Sequence, residues 1–201
     1  MERENIELEF RTEVESEKFD SFLNLLQKQS SHHSYVKRLS VMFLGKVSDC
    51  NFDIRIRIDS NNKAELVVKK GDFHSHNREE NSQSVKGKDQ FMGLVKIFSL
   101  FGFSSKITER ENFDFVISDG LKVTAVRAKN ICYLEFEKMS SKESLEKNES
   151  QVILFMKSMG LSPIDKRSFD DLCSRLGRDS DIVFSASTPD FLKLESLLKQ
   201  Y

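Results

Sequence analysis

The sequence predicts an α+β protein dominated by antiparallel hairpins. Short segments whose apolar residues alternate at period two recur along most of the chain. A few stretches between them carry apolar residues at i, i+3, i+4 and i+7, the spacing of an amphipathic helix. The resulting order is strand, helix, several strands, helix, several strands, helices. That is not the βαβαβ alternation of a parallel sheet, and there is no glycine-rich phosphate loop.

Taken in order, Ile6, Leu8, Phe10 and Val14 fall on one face of a strand from Ile6 to Val14, with Glu7, Glu9, Arg11 and Glu13 on the other. Phe19, Phe22, Leu23 and Leu26 then mark a helix from Ser16 to Gln29, and Ser30 to Ser34 reads as its exit loop. Strand character returns from Val36 to Gly45. It is clearest from Asp53 to Asp59, where Ile54, Ile56 and Ile58 alternate with charged residues. Ser60-Asn61-Asn62 supplies a turn into Ala64 to Lys70, the expected hairpin partner. Gly71 to Ser84 is polar and reads as a loop or an ill-formed strand.

A second helix is predicted over Lys88 to Phe101, with Phe91, Leu94, Val95 and Phe98 inward and Gly102 at its C-cap. Three strands follow, at Ser105 to Arg110, Asn112 to Ile117 and Leu121 to Arg127, the last two joined by an Asp119-Gly120 turn. Ile131 to Lys138 sets Tyr133, Glu135 and Glu137 opposite Leu134 and Phe136. Helices are expected at Ser144 to Met159 and at Ser168 to Leu176, where Asp171 stands three residues after Ser168 as in a capping box. The tail from Asp181 reads as a short strand and a helix started by Thr188-Pro189.

Composition narrows the function classes. The 201 residues suit one domain of ordinary size, and 17 Phe are too many for a disordered chain even at a mean hydropathy of −0.44. With 31 Lys+Arg against 32 Asp+Glu, global charge favours neither a nucleic-acid binder nor a polybasic membrane protein. Apolar runs such as Val152 to Met156 are far too short to span a bilayer or form a signal-peptide core, so a cytoplasmic location is expected. Cys50, Cys132 and Cys173 are widely spaced and lack CxxC, against a disulfide framework or structural zinc.

Charged residues line one face of several strands: Glu7/Glu9/Arg11, Arg55/Arg57 and Glu135/Glu137, with Lys69 and Arg110 on strands beside them. Two readings are open. The face is either the solvated side of a half-exposed sheet with cross-strand ion pairs, or the lumen of a barrel whose apolar residues face helices. In a lumen, the carboxylates would suit hard divalent cations and the guanidinium groups a polyphosphate. His32-His33 and His74/His76 read as exposed loop histidines or, alternatively, as metal ligands.

The motifs carrying these charges resemble those of the CYTH group, the triphosphate tunnel metalloenzymes. Glu7-Leu8-Glu9-Phe10-Arg11 is similar to the ExExK signature, with Arg for Lys. Ile54-Arg55-Ile56-Arg57 resembles the LRIR strand, Glu65-Leu66-Val67-Val68-Lys69 the LTLK strand, and Arg78-Glu79-Glu80 the RxE segment. Arg110-Glu111-Asn112-Phe113 resembles the RxxY step, Leu134-Glu135-Phe136-Glu137 the closing ExE strand, and Arg167-Ser168-Phe169 the RSY segment. The matches keep the family's order across roughly residues 5 to 175.

The resemblance implies an α+β fold with an antiparallel eight-stranded β-barrel (tunnel) and flanking helices over residues 1–177; residues 178–201 lie beyond it and are expected to form a strand–helix extension packed on the same domain, either capping one tunnel mouth or making a dimer contact. It implies a metal-dependent hydrolase of a triphosphate-containing small molecule, with ATP cyclisation to cyclic AMP or non-catalytic binding of nucleotide, polyphosphate or triphosphorylated RNA as alternatives. Glu7, Glu9, Glu135 and Glu137 would serve Mg²⁺ or Mn²⁺. Glu7, Glu9 and Glu80 would be catalytic, with Glu79 competing for the register of Glu80. Arg11, Arg55, Arg57, Lys69, Arg78 and Arg110 would cradle phosphate. Neither duplex DNA nor membrane is an expected partner, and the chain would be a monomer or homodimer.

Departures from the pattern are specific. The family's Asp in the strand before the closing ExE has no counterpart in Val123-Thr124-Ala125-Val126-Arg127, which leaves open whether a second metal binds. The early D.YFD segment is missing, Leu39 to Leu44 reading LSVMFL, and Phe113 and Phe169 stand for expected tyrosines. The basic half of the pattern is thus more complete than the acidic half.

Overall fold

The computed structural model describes residues 6–72 and 75–201. Its strands are β1 (Ile6–Val14), β2 (His32–Val47), β3 (Cys50–Asp59), β4 (Ala64–Lys70), β5 (Asn77–Val85), β6 (Ser104–Val116), β7 (Lys122–Ala128), β8 (Ile131–Ser140) and β9 (Ile182–Val183). Its helices are α1 (Ser16–Gln29), α2 (Gly87–Ser99), α3 (Leu145–Ser158), α4 (Lys166–Asp179) and α5 (Thr188–Leu198). The strands follow the order β2-β3-β4-β5-β1-β8-β7-β6, and β2 also pairs with β6, so β1 to β8 close into an antiparallel barrel. Short β9 adds to β6, and five helices flank the sheet among the described residues.

Several boundaries differ from the sequence expectation for identifiable reasons. The strands predicted at Ser105 to Arg110 and Asn112 to Ile117 are one strand, β6, because Glu111 continues the alternation and no turn residue interrupts it. Part of the predicted exit loop at Ser30 to Ser34 is already strand, since β2 begins at His32. The polar segment from Gly71 becomes regular at Asn77, where backbone pairing with β1 supplies what apolar packing does not: Ile6 faces Glu79 and Glu7 faces Arg78. Helix α4 starts two residues early, because the Asp165 carboxylate accepts the Ser168 N–H at 2.7 Å and caps it. Asp171, expected in a capping box, instead pairs with Arg175 at 2.9 Å.

The Asp119-Gly120 turn forms as expected. Both residues have positive φ, 51° and 75°, and the Leu121 N–H donates to the Ser118 carbonyl at 2.9 Å. This is the type I′ geometry whose twist matches a hairpin.

The chain divides into two compact units. The first comprises Met1–Tyr35, His74–Glu79 and Glu111–Asp179. Here Leu8 and Phe10 of β1, Val123 of β7 and Leu134 and Phe136 of β8 pack against Phe19 and Leu26 of α1 and Val152 and Met156 of α3. On the opposite face of β7 and β8, Val126 and Tyr133 pack with Leu172 and Leu176 of α4. The second unit comprises Val36–Phe73, Glu80–Arg110 and Ser180–Tyr201. Its core joins Leu39, Val41 and Phe43 of β2 and Ile54, Ile56 and Ile58 of β3 to Phe91 and Val95 of α2 and Leu194 and Leu198 of α5. Gly45 is required by the Phe103 ring, whose nearest carbon lies 2.1 Å from where a Cβ would stand.

Candidate functional site

In the first unit, β1 is buried on both faces. Leu8 and Phe10 turn toward α1 and α3, so period two directs Glu7, Glu9 and Arg11 to the other face. Glu7 and Glu9 are nonetheless only 6% and 7% exposed. The solvated-face alternative therefore fails for these two residues.

Strand register sets what each carboxylate meets. Glu9 stands directly opposite Glu137 of β8, and Arg11 opposite Glu135. Like charges facing each other across a ladder repel, more so when water is excluded. Glu7 joins the pair, and one carboxylate oxygen from each of Glu7, Glu9 and Glu137 lies within 4.8 Å of the others. Three converging carboxylates, with neither sulfur nor imidazole among them, fit a hard divalent cation such as Mg²⁺ or Mn²⁺.

Guanidinium groups hold the charge balance. Arg11 forms ion pairs with Glu9 and with Glu135, the latter at 2.8 Å, and stacks on Phe169 of α4 with its guanidinium carbon 5.1 Å from the ring centroid. Arg78 is 6% exposed and approaches Glu9 Oε2 to 3.8 Å. Along β5, Arg78 is buried and Glu80 half-buried, whereas Glu79 between them is exposed. Asp114 of β6, absent from the residues expected at the site, accepts a hydrogen bond from Thr124 Oγ1 at 2.8 Å. Thr124 in turn stands opposite Glu135, so a carboxylate occupies the strand next to the one expected to carry it.

In the second unit each expected phosphate ligand meets a carboxylate. Arg55 pairs with Asp53 at 2.6 Å and Arg57 with Glu65 at 2.8 Å. Lys69, 4% exposed, pairs with Glu80 at 3.1 Å. Arg110 donates to Asp181 at 2.5 Å and to Ser180 Oγ at 3.1 Å, and Lys106 reaches the same Asp181 at 2.7 Å. Asp53 could have been found from sequence, because period two puts it on the face of Arg55. Asp181 could not, because nothing local ties the chain after α4 to β6.

Among the described residues the acidic group contains no histidine, but His76 adjoins it: its Nδ1 lies 3.2 Å from the Glu9 carbonyl oxygen and its own carbonyl accepts the Glu9 N–H at 2.8 Å. His33 makes a 3.3 Å contact with Gln27 and stacks on Phe115, and His76 stacks on Phe10 with ring centroids 4.6 Å apart. Partial burial holds the His76 pKa below its ordinary value, with Arg11 nearby acting in the same direction and Glu149 against it. His74 lies outside the described residues. None of the three cysteines forms a disulfide. No helix among the described residues is long and apolar enough to cross a membrane.

No family model and no curated sequence matches the chain. Solved structures do. A conserved hypothetical protein from Pyrococcus furiosus superposes with a TM-score of 0.62 at 19% identity, over 78% of this chain and 91% of that one. A Pyrococcus horikoshii protein gives 0.61 at 15% identity, over 84% and 98%. A candidate adenylate cyclase from Vibrio parahaemolyticus gives 0.60 at 17% identity, again over 84% and 98%. This chain shares with these structures a fold built on a closed antiparallel barrel. At these identities the likeness is one of fold.

Proposed function

We propose that the protein is a metal-dependent hydrolase of a triphosphate-containing substrate: inorganic tripolyphosphate, thiamine triphosphate or a nucleoside triphosphate. The observation that supports this reading most is the buried group Glu7, Glu9 and Glu137, backed by Arg11 and Arg78 on the same face. Converging carboxylates suit a hard cation, and guanidinium groups beside them suit a phosphate that would exchange for their present carboxylate partners.

Glu7, Glu9 and Glu137 would hold Mg²⁺ or Mn²⁺, with Glu135 orienting Arg11 and available as a further ligand. When bound, the cation would supply Lewis-acid neutralisation of charge at the transferred phosphoryl group. Arg11 and Arg78 would take phosphate oxygens in their donor forks. Arg55, Arg57, Lys69 and Arg110 of the second unit are proposed phosphate ligands in their own right, each exchanging its present carboxylate for phosphate. Glu80, paired with Lys69, is a proposed catalytic carboxylate. Attack by a ribose hydroxyl in place of water would make cyclic AMP from ATP, a second reading that the likeness to the Vibrio protein favours.

The test is product formation from tripolyphosphate, thiamine triphosphate and ATP with Mg²⁺, Mn²⁺ or chelator, beside the Glu7→Gln variant. Phosphate release is expected only with metal, falling by more than about 100-fold in Glu7→Gln. Cyclic AMP as the product of ATP would replace hydrolysis with cyclisation. Triphosphate binding without turnover in a folded protein would leave a binding module.

A further inference from the structure

We propose that Phe169 is a positioning residue. It holds Arg11 as an internal counter-ion of the acidic cluster, so that a divalent cation and Arg11 compete for Glu9. The inference rests on the metal site proposed above, but it is read from binding rather than turnover.

Contacts from backbone, ion pairs and an aromatic ring locate Arg11. Its backbone carbonyl accepts the Ile164 N–H at 2.9 Å, tying the approach to α4 against β1. Its side chain, 15% exposed, forms ion pairs with Glu9 and Glu135. Its guanidinium lies over the Phe169 ring, 5.1 Å from the centroid. Helix α4 is in turn seated by Leu172 and Leu176, 1% and 8% exposed, against Val126 and Tyr133. Phe169 is three residues before Leu172, one turn back along the same side of α4, and is thereby carried to Arg11.

The chemistry of this arrangement is asymmetric. Stacking uses the face of the guanidinium plane and leaves its N–H donors, which lie in the plane, free to change acceptors. Glu9 is the acceptor at stake, because it belongs both to the Arg11 ion pair and to the group Glu7, Glu9 and Glu137. A cation taking Glu9 removes one acceptor from Arg11 while Phe169 and Glu135 keep the guanidinium in place. A donor so released would be open to a phosphate oxygen.

The experiment is Mn²⁺ binding, by calorimetry and by electron paramagnetic resonance, without any triphosphate. It compares wild type with Phe169→Leu, Phe169→Tyr, Arg11→Met and the Arg11→Met/Phe169→Leu double variant, each checked by circular dichroism. Arg11→Met is expected to bind Mn²⁺ about tenfold tighter, because a competing charge a few ångströms away is gone. Phe169→Leu should shift affinity the same way by about three- to fivefold, and Phe169→Tyr should restore wild-type behaviour. Added to Arg11→Met, Phe169→Leu should do nothing further. A Phe169→Leu protein with unchanged Mn²⁺ affinity, or an effect that persists without Arg11, overturns the proposal while leaving the metal site standing. Mn²⁺ binding absent from wild type and Arg11→Met alike removes the site, and the proposal with it.

Discussion

Glu9 illustrates how much chemistry one position can carry. It faces Glu137 across the ladder, forms ion pairs with Arg11 and Arg78, and is 7% exposed. The alternation of Glu7, Glu9 and Arg11 with apolar residues was legible in the sequence, and so was its candidacy as a site. Its burial was not, because a solvated strand face and a luminal one have the same period. His76 supports a separate prediction at this scale. Its folded-state pKa lies below the ordinary value of 6.5, so the unfolded chain takes up a proton first as pH falls. Stability contributed by the neutral ring is complete above about pH 6.5 and is lost as pH drops toward the lowered folded value. The thermal midpoint should therefore decline from about pH 7 to pH 5, and His76→Phe should flatten that decline. A slope identical in both proteins would show that His76 takes no part.

Among the elements, those with a strong apolar stripe were the ones that sequence could place. β1 and α1 coincide with their predicted spans, and Thr188-Pro189 does open α5. Errors fell where backbone pairing, rather than side-chain pattern, makes the strand. β5 reads as polar loop until β1 is beside it, and β6 reads as two pieces until β7 and β9 share it end to end. Caps are local and testable. Ser187 starts α5 with a reciprocal box, its hydroxyl accepting the Asp190 N–H at 3.4 Å while Asp190 Oδ2 accepts from Ser187 and Ser185. Those donors pull the Asp190 pKa down to about 2. Ser187→Ala should cost about 1 kcal/mol, read as a lower denaturant midpoint with an unchanged m-value. An unaltered midpoint would mean that Leu194 and Leu198 alone hold the helix.

For the whole molecule, a cation that binds only the folded chain must stabilise it. Mn²⁺ at about 100 times its dissociation constant should raise the unfolding free energy by about 2.7 kcal/mol, chelator should reverse the gain, and Glu137→Gln should abolish it. A wild-type thermal midpoint insensitive to Mn²⁺ would count against the acidic group as a metal site. Sequence by itself determined the α+β class, the hairpin from Asp53 to Lys70, the apolar helix faces and the charged residues of the motifs. Periodicity and turn chemistry are written within a few neighbouring residues, so a local reading recovers them. Tertiary structure alone decided that β1 pairs with both β5 and β8, which puts Glu9 against Glu137 and Arg11 against Glu135. It also decided that Phe169 stacks on Arg11 and that Asp181 receives Arg110. These partners stand far apart in the chain, and only closure of the sheet and seating of the helices bring their charges within reach of one another.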